Sequence, residues 1–294
     1  MRAPLAAGAV GNLLVGLALA ARPGVGLTLS QGLGIVVLCL ATACLYWGGM
    51  VLNDWYDRER DVELAPHRPL PSGRVSPALA AGLGFGFLVA GVGLSALGAS
   101  IGAQAPLRGA FGGLVVALCV LLYDGWLKRF RVPGSVAMGA CRFANSLLGA
   151  YAFGWWSPVD GWGAPAALFA YALLVYVTSL TFLSTYEDER AGVLAMTVGF
   201  GGALLAPALF VALPLMGQGW HPLGLLGAVG LFVLVLAQMV MAILEGTRAR
   251  GQSTTRSLLQ GLWLLDLSAI LARTPAPLLA AWGGLWVVYK LGAR

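Results

Sequence analysis

The sequence predicts an all-α, polytopic membrane bundle of about nine spans, each near the ~20 apolar residues that cross a bilayer. Three observations carry that expectation. The 294 residues are 59% hydrophobic and only 10% charged, where a soluble domain carries about 25% charged residues. The mean hydropathy is +0.83. The charges that remain gather in short segments between apolar runs. The formal net charge of +6 therefore reads as membrane topology rather than nucleic-acid binding. A single integral-membrane domain over residues 1–294 is expected.

Taken in order, residues 4–21 form the first apolar run. With Arg2 ahead of it and Ala18-Leu19-Ala20 at its end, it imitates a signal peptide, but a second run follows at once and a retained span is expected. The next runs are 32–52, 77–100, 109–125, 134–155, 163–185, 191–216 and 222–244. The stretch 256–292 is ambiguous. Its first part, 256–272, is short and carries Asp266. An interfacial helix there, with 275–291 as the ninth span, is favoured over a ten-span reading. The four cysteines, Cys39, Cys44, Cys119 and Cys141, all sit in apolar runs without metal-ligand spacing, which suits small buried side chains.

Lys and Arg set the orientation. One set of loops holds Arg58, Arg60, Arg68 and Arg74, then Lys128, Arg129 and Arg131, then Arg190, then Arg248, Arg250 and Arg256. The opposite loops hold Arg22 and Arg108. The N-terminus and the basic loops are thus expected in the cytoplasm.

The chemistry gathers after the second run, in Asn53-Asp54-Trp55-Tyr56-Asp57-Arg58-Glu59-Arg60-Asp61. With Asn53 at zero on one helix, Asp57 falls at about 40°, Asp61 at about 80° and Asp54 at about 100°. One amide and three carboxylates then share a face. Like charges at that spacing repel, more so at the edge of a low-dielectric region. Something positive must sit among them, and oxygen ligands suit Mg²⁺ completed by substrate phosphates. Arg68-Pro-Leu-Pro-Ser-Gly-Arg74 follows.

Asn53, Asp54, Asp57 and Asp61 fit an NDxxDxxxD pattern, and residues 68–74 fit an RPLPSG-type tail. Together with their place after the second span, they resemble the UbiA superfamily of intramembrane prenyltransferases. The resemblance implies helices around a central cavity. It also implies Mg²⁺-dependent transfer of a prenyl group from an isoprenyl diphosphate to a lipophilic, often aromatic, acceptor in the membrane. Asn53, Asp54, Asp57, Asp61 and Asp188 would hold metal, and Lys128 with Arg68 or Arg74 would neutralise the diphosphate.

The second acidic patch, Ser184-Thr185-Tyr186-Glu187-Asp188-Glu189-Arg190, departs from the family's second DxxxD. Asp188 stands at the second aspartate, while Ser184, a weak metal ligand, stands at the first. A second metal is then bound differently, more weakly, or through Glu187. Tyr123-Asp124-Gly125-Trp126-Leu127-Lys128 resembles a Tyr…Leu-Lys segment whose lysine meets diphosphate, with Asp124 and Gly125 as departures. Arg142 and Asn145 share one face of the fifth span; the arginine either pairs with a carboxylate or faces the cavity with Asn145. Asn12 either lines the cavity or bonds between helices. Tyr123, Tyr186 and other tyrosines supply π faces suited to an allylic cation. The departure at Ser184, with the Asp266-containing segment, resembles the EboC-type branch. It also keeps open a non-catalytic binding or transport protein as the alternative. An ion-coupled transporter fits Arg142 but leaves the acidic register unexplained.

Overall fold

A computed structural model describes residues 6–21, 26–159, 164–186, 193–212, 223–245, 248–273, 283, 284 and 286. They fold into helices, and there is no strand among them. Helix α1 spans Ala6–Ala20, α2 Leu29–Tyr56, α3 Arg58–Leu64, α4 Pro77–Ala103, α5 Pro106–Gly125 and α6 Arg131–Ala152. Helix α7 spans Pro165–Ser184, α8 Val193–Ala212, α9 Gly224–Glu245 and α10 Arg248–Arg273. A single 3₁₀ turn, Leu127–Arg129, joins α5 to α6.

Local chemistry places the helix starts. Thr28 and Gln31 form a capping box ahead of α2, which satisfies two orphan backbone donors. Ser76 accepts from the Leu79 N–H at 3.2 Å, and Pro77 follows at the position where a missing N–H costs nothing. Pro106 and Pro165 start α5 and α7 in the same way.

Sequential long helices pack side by side from α4 to α10, apart from short α3, which lies outside the series. Helix α1 closes the ring by packing on α2 and on α10, and it also lies against α6. The pairing of α2 with α4 is close because glycines face each other. A Cβ on Gly34 would lie 2.6 Å from the Gly98 carbonyl oxygen, and one on Gly98 would lie 2.9 Å from that of Gly34. Large apolar side chains such as Leu40, Val89, Phe111 and Val233 point outward, as they must against lipid.

Among the described residues, five helices are long and apolar enough to cross a membrane, and α1 and the apolar parts of α8 and α10 are shorter. This is an integral membrane protein. Nine helices of 15 to 28 residues nevertheless make the ring among the described residues. The ninth differs from expectation. Residues 256–272 do not lie apart as an interfacial helix: they belong to α10, inside the bundle, with Leu258, Leu265 and Ala269 fully buried. Asp266 is tolerated there because Asn12 donates to it at 2.8 Å, so the acid that shortens the apolar run has its partner. Residues 275–291 fall almost wholly outside the described residues.

Candidate active site

The acidic stretch is not one straight helix. Helix α2 ends at Tyr56, and Asp57 is both its C-cap and the N-cap of α3. The helical ladder nearly persists through the break, with Asp57 N–H bonded to Asn53 O at 3.1 Å and Asp61 N–H to Asp57 O at 2.8 Å. The expected register therefore survives. Glu59 and Asp61 occupy the first turn of α3, where the helix dipole favours negative charge.

The required positive charges are Lys128 and Arg68. The Lys128 ammonium lies 2.9 Å from Asp57 Oδ1 and 3.9 Å from Asp124 Oδ1. It also donates to the Asn53 carbonyl at 3.3 Å. The short 3₁₀ turn puts it there by folding the chain back at the end of α5. Arg68 donates to Asp61 Oδ2 at 2.6 Å and reaches within 3.9 Å of Asp54 Oδ1. Asp61 is 8% exposed at its side chain, Asp54 37%. The part-buried Arg68–Asp61 pair holds the 65–75 loop against α3, and Asp54 is the more exposed of the two carboxylates.

Arg74 does not reach this group. It donates to His67 O and to Ser72 Oγ within its own loop. Gly73 turns that loop at φ +72°, a conformation that glycine adopts without strain.

Asp124 is the residue that reading the sequence missed. It is 3% exposed and accepts from the Asn53 amide nitrogen at 2.8 Å. The signal was available: an acid closing a span, four residues before a lysine. The bond commits the Asn53 nitrogen and leaves its amide oxygen as the atom for a cation.

Of these groups, Asn53 and Asp124 stand at the polar end of a cavity of about 540 Å³, within the ~300–1,000 Å³ typical of ligand sites. Asn53, Tyr123, Asp124 and Ser184 line it at that end, and Val116, Val120, Val177 and Leu180 supply apolar walls. Arg142 and Asn145 line it further in. Asn145 donates to Ala9 O at 2.8 Å and thereby ties α6 to α1. Asn12 bonds both Asp266 and Arg142, so its helix-bridging role is the one observed. Tyr186 is not among the residues lining the cavity. Its ring centroid lies 5.4 Å from that of Phe182, and Arg131 sits 4.4 Å from it on its face. The Ser184 hydroxyl donates to Thr181 O in its own helix. Glu187 and Asp188 lie outside the described residues.

Among the described residues, no three acidic, His or Cys groups converge to cage a metal ion. The donors on offer are oxygens only, from Asn53, Asp54, Asp57 and Asp61. That chemistry fits a hard cation which takes the rest of its shell from a phosphate-bearing substrate.

The UbiA prenyltransferase family matches residues 9–265. A protoheme IX farnesyltransferase of Granulibacter bethesdensis is 31% identical over 180 residues, 57% of this chain and 51% of that protein. A 4-hydroxybenzoate octaprenyltransferase of Pseudomonas fluorescens is 29% identical over 223 residues, covering 68% and 69%. The chain thus spans about half the length of the first relative. Two solved structures share the fold. One, from work on digeranylgeranylglyceryl phosphate synthase, has a TM-score of 0.66 at 18% identity, covering 90% of this chain and 92% of that one. The other, a UbiA homolog from Archaeoglobus fulgidus bound to DMAPP and Mg²⁺, has a TM-score of 0.61 at 14% identity, covering 90% and 97%.

Proposed function

The chain belongs to the UbiA prenyltransferase family, and from that premise we propose that it transfers a prenyl group from an isoprenyl diphosphate to an aromatic or other small lipophilic acceptor within the membrane. One observation carries the reading: Asn53 and Asp124, tied to Asp57 and Lys128, stand at one end of a cavity whose adjoining walls are apolar. The polar end suits a diphosphate and the apolar walls suit a prenyl chain. DMAPP and Mg²⁺ in the Archaeoglobus fulgidus relative support the same pairing of ligand and metal.

Asn53, Asp54, Asp57 and Asp61 would hold Mg²⁺, with Asp188 and Glu187 as further ligands from the second patch. When bound, the metal neutralises charge on the leaving diphosphate. Lys128 contributes a compact cation suited to phosphate, held in place by Asp57 and Asp124. Arg68 fixes Asp61 and so orients the short helix that carries it. Heterolysis of the C–O bond sends its electron pair to the diphosphate. The apolar walls keep water from the allylic cation, and Tyr123 offers a π face beside it. The acceptor nucleophile then attacks that carbon and releases its proton. The basic loops of residues 58–74 and 128–131 meet at this end of the bundle, which supports a cytoplasmic site and a cytoplasmic N-terminus.

The test uses purified protein, Mg²⁺, labelled farnesyl or geranylgeranyl diphosphate and a panel of acceptors. Diphosphate release is expected from the wild type and is abolished in Asp54→Ala and Asp57→Ala. Unchanged release in both variants would remove the assignment. Ser184, neutral and bonded to its own helix, favours the second reading of a non-catalytic binding protein. Mg²⁺-dependent diphosphate binding without release under any acceptor would decide for it.

A further inference from the structure

The cavity has a second polar group, away from the charged end. Seven residues of α2 separate Asn53 from Tyr46, about 10 Å at 1.5 Å per residue. Arg142 lies over the Tyr46 ring with its guanidinium carbon 5.7 Å from the ring centroid. Its Nη1 donates to Asn12 Oδ1 at 3.1 Å, and the Asn12 amide donates to Asp266 Oδ1 at 2.8 Å. The carboxylate is thus held behind an amide. Among the described residues, Arg142 has no carboxylate within ion-pair distance. It is only partly buried and lines the cavity.

One turn before Tyr46 on the same face stands Thr42, which also lines the cavity. Thr42 is 1% exposed, and its Oγ1 has no hydrogen-bond partner among the described residues. A guanidinium inside a membrane protein is costly unless it has work to do, and an orphaned buried hydroxyl is rare. Both are satisfied by the same kind of ligand. The Arg142–Asn12–Asp266 chain ties α6, α1 and α10 together and fixes the cation where a ligand would meet it.

We infer that this inner end of the cavity seats the acceptor, and that the acceptor carries an oxyanion, which meets the Arg142 guanidinium and accepts from the Thr42 hydroxyl. Its apolar part lies on Tyr46 and points its nucleophile back toward the charged end. The ~10 Å gap along α2 leaves space for a diphosphate head and one small ring. The word acceptor rests on the prenyl-transfer reading; the oxyanion site does not. Its oxyanion is a carboxylate on a compact aromatic molecule or the phosphate of a lipid.

Binding to the purified full chain in phosphatidylcholine nanodiscs tests this without turnover. The probes are a hydroxylated aromatic carboxylate, its neutral carboxamide, and a short-chain phosphatidic acid. The carboxylate is expected to bind at least about tenfold tighter than the carboxamide, as loss of a charge-assisted hydrogen bond implies. Arg142→Gln should erase that preference, and Thr42→Val should weaken carboxylate binding about threefold. The wild-type comparison of acid with amide needs no variant, so a poorly folded Arg142→Gln leaves the test intact. Arg142-dependent binding of phosphatidic acid alone would support the site and assign its ligand to a lipid. Equal binding of acid and amide, with phosphatidic acid indifferent to Arg142, would overturn the proposal. A separate arm measures Mg²⁺-dependent binding of geranyl thiolodiphosphate. Its failure would sink the prenyl-transfer reading while the oxyanion result stood or fell by itself.

Discussion

The Lys128 ammonium lies 2.9 Å from Asp57 and 3.9 Å from Asp124, so one cation joins the end of α5 to the break between α2 and α3. A phosphate-bearing ligand enters a site whose carboxylates are already compensated. Removing the cation should therefore harm both assembly of the site and the ligand's charge balance. Lys128→Ala is expected to lower kcat/KM for the diphosphate substrate by about 100-fold, the cost of one preorganised electrostatic contact. Arg129→Ala, next in sequence and outside the charged group, should stay within about threefold. Steady-state diphosphate release measures both, and equal losses would show that only bulk basicity matters.

Asp124 acts through Asn53. Asp124→Ala frees the Asn53 amide and is expected to raise the KM for diphosphate about tenfold, the loss of one hydrogen bond to a charged group. Asp124→Asn keeps an acceptor for that amide and should recover most of the loss. A purely structural role would move thermal stability equally in the two variants and leave their KM values alike.

The Asn12 amide separates Asp266 from Arg142. Asn12→Leu leaves a buried carboxylate without its donor and is expected to cost about 3 kcal/mol, as broken buried polar pairs do. The double variant Asn12→Leu with Asp266→Leu should regain much of that, because the uncompensated charge is gone. Unfolding in mixed micelles measures both. A double variant less stable than the single one would refute the account.

Two glycines of the same bundle should answer substitution in opposite ways. Gly34→Ala drives a Cβ to 2.6 Å from the Gly98 carbonyl and is expected to destabilise the protein by about 1–3 kcal/mol through overpacking. Gly82 has nothing within 4 Å of an added Cβ. Gly82→Ala should stabilise α4 by about 0.5–1 kcal/mol. Similar effects at both positions would mean that the α2–α4 contact is looser than its geometry indicates.

The sequence makes the helices and the acidic register legible because both are periodic. Apolar runs mark spans, and 100° per residue puts Asn53, Asp54, Asp57 and Asp61 on one side. What meets those groups is a matter of tertiary contact, which spacing does not encode. Nothing local says that Arg68 takes Asp61 while Arg74 turns back to His67 O. Asn145 looks like a cavity ligand on its helix face, yet Ala9 O takes its amide. Asp266 misleads for the same reason: an acid in an apolar run argues against a span until a partner 254 residues away is known.

That separation also has a consequence in time. Chains elongate at about 5–20 residues per second, so the Asn12 side chain is made roughly 13–50 s before the aspartate that receives its amide. During that interval the first helix lodges among its neighbours with a polar side chain awaiting its mate. Closure of the ring among the described helices then waits on α10, and a stall before that helix leaves the Asn12 amide without its carboxylate.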